Sequence, residues 1–395
     1  MANVLTINAG SSSIRFAIFE AGQPPKPLLQ GKMERIGSED ASLSVDRRVD
    51  AAPTHIKVKI RERATAADFL LDWLESQPLF KTLEGVGHRV VHGMLHTAPE
   101  RVTAALLGEL KSIVPFDPEH LPREIELIET VQRRYGRLPQ VVCFDTAFHR
   151  SMPRVATQLP IPRRYAAKGV QRYGFHGLSY TFLMRELTRL GDPAARRGRI
   201  ILAHLGSGAS LAAVRDGQCI DTSMGFTPTA GLVMGTRSGD LDPGLMSYLA
   251  LTESLDARQF QSMVNHESGL LGISESSADV RDLLAREARD PRAAEALALF
   301  CYQAKKWIGS FAAALGGVDT LVFAGGIGEN AAPVRKRICE GLSFLGIEID
   351  DSANGRHAEC ISTGTGASVT VRVIRTDEES VIAALSIPLL GFEST

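Results

Sequence analysis

The chain has 395 residues, 44% hydrophobic and 23% charged, with 44 basic against 45 acidic side chains and a formal net charge of −1. That length is more than one compact core organises, so two domains with a cleft between them are expected. The composition excludes a chain dominated by disorder, and the charge balance argues against the broad basic surface that nucleic-acid binding needs, while a local site for small anions stays open.

The five cysteines, Cys143, Cys219, Cys301, Cys339 and Cys360, are scattered without a CxxC pair, which fits a reducing compartment. MANVLTINAG enters a strand pattern directly, so no export signal and a cytoplasmic location are expected. The apolar run 296–315 carries Lys305 and Lys306 and predicts a buried or amphipathic helix, with no membrane span.

In chain order, residues 4–8 read as a strand, GSSS as a turn and 14–19 as a second strand closed by Ala21 and Gly22. This is a hairpin with a glycine-serine tip. Helical periodicity follows at 64–75, 104–114 and 123–135, with strand runs at 86–91 and 141–144. The hairpin pattern returns at 200–204, LGSGAS and 211–214, closed by Asp216 and Gly217. Aligned with one gap, the two copies share the small-residue turn, a Ser before an aliphatic residue and the closing glycine, which points to a duplicated domain. Helices are then expected at 255–264, 280–288, 293–315 and 334–344, strands at 321–323 and 369–374, and a last helix at 378–387 returning to the first domain. The alternation predicts an α/β class. Proline-rich SMPRVATQLPIP suggests a boundary near 146–160, giving a first domain of 1–148 plus 380–395 and a second of 149–379.

The two glycine-serine tips present backbone N–H groups and hydroxyls that suit an anionic phosphate chain; the competing reading is that glycine and serine simply make tight turns. The GxxxxGK[ST] loop and the protein-kinase motifs are absent from the sequence. GSGASL is followed by a strand pattern where a dinucleotide fingerprint needs a helix, so a nicotinamide cofactor is not expected. FAGGIGEN follows a strand and leads through Pro333 into a helix, as a turn that either holds a nucleotide or serves close packing.

Arg89 in GHRVVHG, His176 in RYGFHG and Arg237 in MGTRSGD sit among glycines. Arginine offers a planar, permanent charge for carboxylate or phosphate oxygens, against the ordinary surface ion pair. Asp145, Asp221, Asp240, Asp242 and Glu378 are candidates to hold the divalent ion that ATP chemistry needs. Asp145 ends a strand, where side chains reach a sheet's ligand-bearing edge; Glu378 begins the last helix and equally suits its dipole.

Taken together, INAGSSSIRF, GHRVVHG, FDTAFH, RRYAAKGVQRYGFHG, DTSMGFTPTAGLVMGTRSGDLDPG and GGIGEN resemble the acetate kinase family almost end to end. The resemblance implies a duplicated acetate and sugar kinase/heat-shock chaperone/actin-type fold, two domains around a central cleft, and a homodimer. It implies ATP or ADP as co-substrate, magnesium with manganese as the alternative ion, and reversible in-line phosphoryl transfer to a short-chain carboxylate, acetate first. No nucleic acid or membrane partner is implied. By matching block, Asn8 and Glu378 position the metal, Ser11, Ser13 and Arg15 lie along the phosphates, and Arg89 meets the carboxylate. Asp145 orients the reacting groups, and His176 and Arg237 stabilise the transferring phosphoryl. His204, Leu205, Gly206, Ser207 and Gly208 line the phosphates. Asp279, Val280 and Arg281, with Gly326, Ile327, Gly328, Glu329 and Asn330, surround the adenosine. Val91, Phe175 and Pro228 form a small apolar pocket for the acyl tail.

A carboxylate attacks without first losing a proton, so the obstacle is repulsion among anions and no strong general base is needed. The chain departs from the family pattern at Arg15 for lysine, Ser207 for asparagine, Tyr180 for histidine, Val280 for an aromatic residue, Met94 for glycine, and Glu119 near an apolar pocket position. Acyl-chain and nucleotide preference therefore stay open, with a propionate or other short-acyl kinase as the alternative. A non-catalytic nucleotide-binding switch is a further alternative, against which the retained Arg89, His176 and Arg237 argue.

Overall fold

A computed structural model describes residues 2–10, 13–34, 36, 41–46, 54–57, 66–364 and 368–391. The chain divides into two compact units, Met1–Ala147 with Asp377–Thr395, and Phe148–Thr376. Glu378 therefore shares a unit with Asn8, whereas the expected boundary assigned it to the other domain.

In the first unit, the strands are β1 (Asn3–Ala9), β2 (Ser13–Glu20), β3 (Lys26–Glu34), β4 (Ser42–Asp46), β5 (Thr54–Lys57), β6 (Leu83–Val90), β7 (Glu100–Arg101) and β8 (Gln140–Phe144). They form one sheet in the order β5-β4-β3-β2-β1-β6-β8-β7. β1 pairs antiparallel with β2 and parallel with β6, and β6 pairs parallel with β8. Every residue of β1 is buried, as expected for a central strand covered on both faces. On one face Leu5, Ile7, Phe16 and Ile18 pack with Leu70, Leu71 and Leu74 of the helix Ala66–Glu75 and with Leu127 and Val131 of the helix Leu121–Arg134. Burying each such side chain stabilises the unit by about 1.5–3 kcal/mol.

The helix Glu378–Leu390 packs against β1, β6 and β8. Two glycines of β6 allow its close approach, because a Cβ at Gly87 would stand 2.7 Å from Ile382 and one at Gly85 2.6 Å from Leu390. Bare backbone on the strand thus fixes where the N-terminus of that helix arrives.

In the second unit, β9 (Arg199–Leu205), β10 (Ala209–Arg215), β11 (Gln218–Thr222), β12 (Thr320–Ala324) and β13 (Thr370–Val373) run in the order β11-β10-β9-β12-β13. This repeats β3-β2-β1-β6-β8, an antiparallel meander followed by parallel strands, so the fold is duplicated. The helix Pro291–Leu315 packs against β9 and β10. Asp290 caps its start and Gly316, at φ 73°, ends it. Tyr180, Leu183 and Leu187 of the helix Gly177–Arg189 pack with Ile200, Leu202, Ala212 and Val214.

Register corrects one detail of the hairpin alignment. Ala9 pairs with Ile14, but Leu205 pairs with Ala209, so the second tip is one residue shorter. Ser210 consequently stands opposite His204, as Arg15 stands opposite Asn8, and Ser210 is not the counterpart of Ser13.

Other differences from the expected elements have local causes. FAGGIGEN is not a turn: Gly325–Asn330 is itself a short helix directly after β12. The helix expected at 334–344 stops at Cys339, and Gly341 at φ 78° turns the chain. The helix expected at 255–264 runs Ala257–Ser262 behind an Asp256–Gln259 capping box and continues as a π turn, Met263–Glu267.

Candidate active site

In the first unit three polar side chains gather at the C-terminal ends of adjacent parallel strands. Asn8 lies near the end of β1, Arg89 near the end of β6, and Asp145 directly follows β8, its N–H donating to Val90 O at 2.9 Å. That edge of a parallel sheet is where α/β folds place ligands.

Arg89 is held on several sides. Its Nε and Nη2 donate to Asp145 Oδ2 at 3.2 and 2.8 Å, and its Nη1 donates to Ala9 O at 3.0 Å. Glu124 Oε1 lies 3.7 Å from Nη1, and Glu124 Oε2 accepts the Val91 N–H at 2.9 Å. Burial works against the Arg89 charge, but Asp145, Glu124 and Glu378 together hold its pKa above the ordinary value. Burial pushes the Glu124 carboxyl up to about 8, against the pull of Arg89 and the Val91 N–H. Beside them, burial lowers His88 and His92 to about 4, so both rings are neutral near pH 7. Val91 is itself 1% exposed.

At the end of β1, Asn8 Nδ2 donates to Glu378 Oε2 at 2.7 Å and to Glu379 Oε1 at 3.2 Å. Burial and the neighbouring Glu378 raise the Glu379 pKa, and Arg15 opposes the rise. Among the described residues, no three His, Cys, Asp or Glu side chains gather as a metal cage. The Asn8, Glu378 and Glu379 set carries oxygen donors and neither thiol nor imidazole, which fits magnesium or manganese. An ion with one or two protein ligands and the rest from phosphate and water is the usual magnesium arrangement. Ser13 is half-buried, with its carbonyl accepting from Gly10 N at 2.7 Å, and Arg15 is exposed. Ser11 lies outside the described residues.

The second unit assembles its groups around glycines. The tip after β9 closes with Gly206 N donating to Gly208 O at 3.0 Å, and Ser207 O accepts from Gly235 N at 3.0 Å. A Cβ at Gly208 would stand 3.4 Å from His176 Nε2 and 3.6 Å from Arg237 Nη1, so glycine keeps the space beside both groups open. His176 heads the helix Gly177–Arg189 in the left-handed conformation, at φ 61°. Its Nδ1 bonds Ser210 Oγ at 2.8 Å, which turns Nε2 toward Gly208. The His176 ring stacks on His204 with centroids 4.4 Å apart. Arg237 Nη1 donates to Pro228 O at 3.3 Å. Phe175 and Pro228 are both buried.

The short helix Gly325–Asn330 lies against the same tip: a Cβ at Gly206 would be 4.0 Å from Gly326 N. Glu329 is committed to this packing, since its Oε1 accepts from Gly325 N at 3.1 Å and from Thr376 N at 3.0 Å. Asn330 Nδ2 donates to Gly326 O at 2.9 Å. Asp279 caps the helix Val280–Arg286 and pairs with Arg281 Nη2 at 2.6 Å, which holds its carboxyl below the ordinary range. Val280 is buried and Arg281 is exposed. Of the other acids weighed for a metal, Asp240 accepts Gly231 N at 2.8 Å, Asp242 accepts Gly244 N at 2.6 Å and Asp221, in β11, accepts Thr222 N at 2.7 Å, so each is bonded to nearby backbone.

The family model described as "Acetokinase family" matches residues 3–384. The chain belongs to the acetokinase family. It is 40% identical over 398 residues to an acetate kinase of Rhodopseudomonas palustris, covering 96% of each chain. It is also 40% identical over 387 residues to a propionate kinase of Citrobacter rodentium, covering 96% of this chain and 95% of the relative. The solved structure of Porphyromonas gingivalis acetate kinase superposes with a TM-score of 0.86 at 34% identity, covering 99% of this chain and all of the other.

Among acetokinases, several departures of this chain now have a physical setting. Met94 sits at φ 47°, in the left-handed region where glycine is at ease, at a cost of about 1–2 kcal/mol for a residue with a Cβ. Tyr180 is fully buried and its hydroxyl bonds Ser210 Oγ, the same oxygen that bonds His176 Nδ1. Glu119 is half-buried, while neighbouring Asp117 is buried and bonded to His120 Nδ1 at 2.9 Å. The carboxyl that reaches Val91 and Arg89 is Glu124, which sequence reasoning passed over. A signal was there: Glu124 interrupts the apolar stripe Leu121, Ile125 and Ile128. Glu379 and Ser210 were also missed.

Proposed function

We propose that this acetokinase transfers a phosphoryl group between ATP and a short-chain carboxylate, acetate first, giving acetyl phosphate and ADP reversibly. The observation that carries the reading is Arg89, a permanently charged fork at the end of a central parallel strand and braced by Asp145, in a chain of this family. The substrate carboxylate attacks the γ-phosphorus, the bond to the bridging oxygen of ADP breaks, and no side chain has to remove a proton. Arg89 binds the acceptor carboxylate and Asp145 fixes the guanidinium. His176, through Nε2, and Arg237 meet the phosphoryl oxygens as charge redistributes.

Ser11, Ser13 and Arg15, together with residues 204–208, are assigned to the phosphates, and residues 279–281 and 326–330 to the adenosine. Val91, Phe175 and Pro228 are assigned to the acyl tail. Asn8 and Glu378 would hold magnesium, which when bound neutralises charge on the phosphate chain.

A homodimer is part of the same reading. The helix Gly244–Thr252 has no buried residue although its sequence is GLMSYLALT, and Tyr248 and Leu251 are 61% and 86% exposed. A second copy of the chain would cover this face. The proposed location is the cytoplasm; among the described residues no helix is long and apolar enough to cross a membrane.

A hydroxamate assay for acyl phosphate, run with formate, acetate, propionate and butyrate, tests the activity. Product with acetate at the highest kcat/KM is expected, and a higher value with propionate would reassign the substrate. No acyl phosphate from any acid would overturn the reading, and undiminished activity after complete chelation would remove magnesium from it.

A further inference from the structure

Glu124 lies on the buried face of the helix Leu121–Arg134, with its side chain 2% exposed. One carboxylate oxygen accepts the Val91 N–H, while Oε1 accepts no hydrogen bond and stands 3.7 Å from Arg89 Nη1. Arg89 carries five N–H groups, of which those on Nε and Nη2 reach Asp145 and one on Nη1 reaches Ala9 O. One N–H on each terminal nitrogen is left by these bonds, and together they make an edge that matches a carboxylate. Glu124 Oε1 is already within ion-pair distance of that edge and outside hydrogen-bond distance of it.

We propose that Glu124 sets the affinity of Arg89 for the carboxylate substrate: ionised, it competes for the edge that the substrate needs, and protonated, it leaves that edge to the substrate. The inference rests on the reading of Arg89 as the carboxylate-binding group. Charge makes the competition strong. With Glu124 neutral, Arg89 and Asp145 cancel and an incoming carboxylate adds one negative charge. With Glu124 ionised, the same cluster is already negative before the substrate arrives, in a site where burial weakens screening.

The other groups around Glu124 act in the same direction or stand back. Asp117 and Asp145 both disfavour its ionisation, Arg89 favours it, Asp117 is itself bonded to His120, and His92 beside Asp117 is neutral near pH 7. Glu378 acts on Arg89 from the last helix. Burial puts the Glu124 titration near pH 8, so its upper half falls within the range an enzyme assay can reach. Above that pH, substrate binding takes up one proton, which Glu124 keeps.

The test is the KM for acetate from pH 7 to 9 at saturating ATP, in the parent and in Glu124→Gln. A single ionisation near pH 8 that excludes the substrate raises the parent KM about tenfold over that range, while the Glu124→Gln value stays level. A level parent profile, or an equal rise in Glu124→Gln, overturns the proposal. Should Glu124→Gln fail to fold, the parent labelled with 13C at glutamate Cδ is titrated with and without acetate. One resonance with a midpoint near pH 8 that moves upward with acetate is expected, by the reciprocity of linked binding. A midpoint that acetate leaves in place overturns the proposal. Arg89→Ala separates the two layers: an unchanged acetate KM in that variant removes the Arg89 reading itself, whereas a raised KM there with a level parent pH profile removes Glu124 alone.

Discussion

The two units share one strand order and use it in opposite ways. At the ends of β1, β6 and β8, the first unit concentrates paired charge, with Arg89 between the buried carboxyls of Asp145 and Glu124 and with Asn8 between Glu378 and Glu379. At the end of β9, the second unit removes side chains instead, leaving Gly208 beside His176 and Arg237 and Gly206 beside His204. Paired charge holds a guanidinium fork in a fixed orientation, whereas bare backbone leaves N–H donors open to an anion. The scaffold is therefore common, and the two units differ in what their strand ends carry.

The largest expected effect comes from the second unit. Arg237→Ala should lower kcat at least about 100-fold, because losing a charge partner of the transferring group commonly costs about 3 kcal/mol. A variant within a few-fold of the parent would take Arg237 out of the chemistry. Tyr180→Phe should lower kcat about tenfold with both KM values kept, since it removes one hydrogen bond that fixes Ser210 and, through it, His176. Tyr180→His, which restores the family residue, should recover activity, and equal loss in both variants would mean that Tyr180 only fills the core.

In the first unit, Val91→Ala should shift kcat/KM toward propionate or butyrate relative to acetate by about tenfold, as one or two carbons in an apolar pocket are worth about 1–3 kcal/mol. Unchanged ratios across the acid series would place the acyl tail away from Val91. The smallest effect is on stability. Burial raises Glu124 from 4.5 to about 8, so between those values the folded chain keeps a proton that the unfolded chain has released, and stability falls as pH rises through that window. His88 and His92 are lowered from 6.5 to about 4, so they cost stability as pH falls through 6.5, where their effect opposes that of Glu124. Near pH 6.5 the two histidines offset Glu124, and from about pH 7 to 8 the downward drift of Glu124 prevails, at less than about 1.4 kcal/mol per pH unit. Urea midpoints should show it in the parent and lose it in Glu124→Gln; the same drift in both would assign it elsewhere.

Much of this was legible in the sequence, for reasons that differ by element. The hairpins of β1–β2 and β9–β10 stood out because short apolar runs, buried almost throughout, flank small-residue tips. The helix Gly177–Arg189 did not, because His176 in a left-handed conformation heads it where a Ser, Thr, Asp or Asn would have signalled a start. β3 to β5 were passed over as well; in β3 only Leu29 and Met33 are buried, so no clean alternation marks it. Arg89, Asp145, His176 and Arg237 were found as residue types in glycine-rich or strand-end settings. What they touch was not, since Glu124 and Ser210 reach Arg89 and His176 only through the fold.

The proposed split of roles between Arg89, on the acceptor carboxylate, and Arg237, on the transferring phosphoryl, is tested most directly by steady-state kinetics of Arg89→Ala beside Arg237→Ala, varying acetate and ATP separately. The account predicts that Arg89→Ala raises the acetate KM by far more than it changes the ATP KM, while Arg237→Ala lowers kcat with the acetate KM nearly kept. Equal loss of kcat in both variants with the acetate KM unmoved in Arg89→Ala would contradict it.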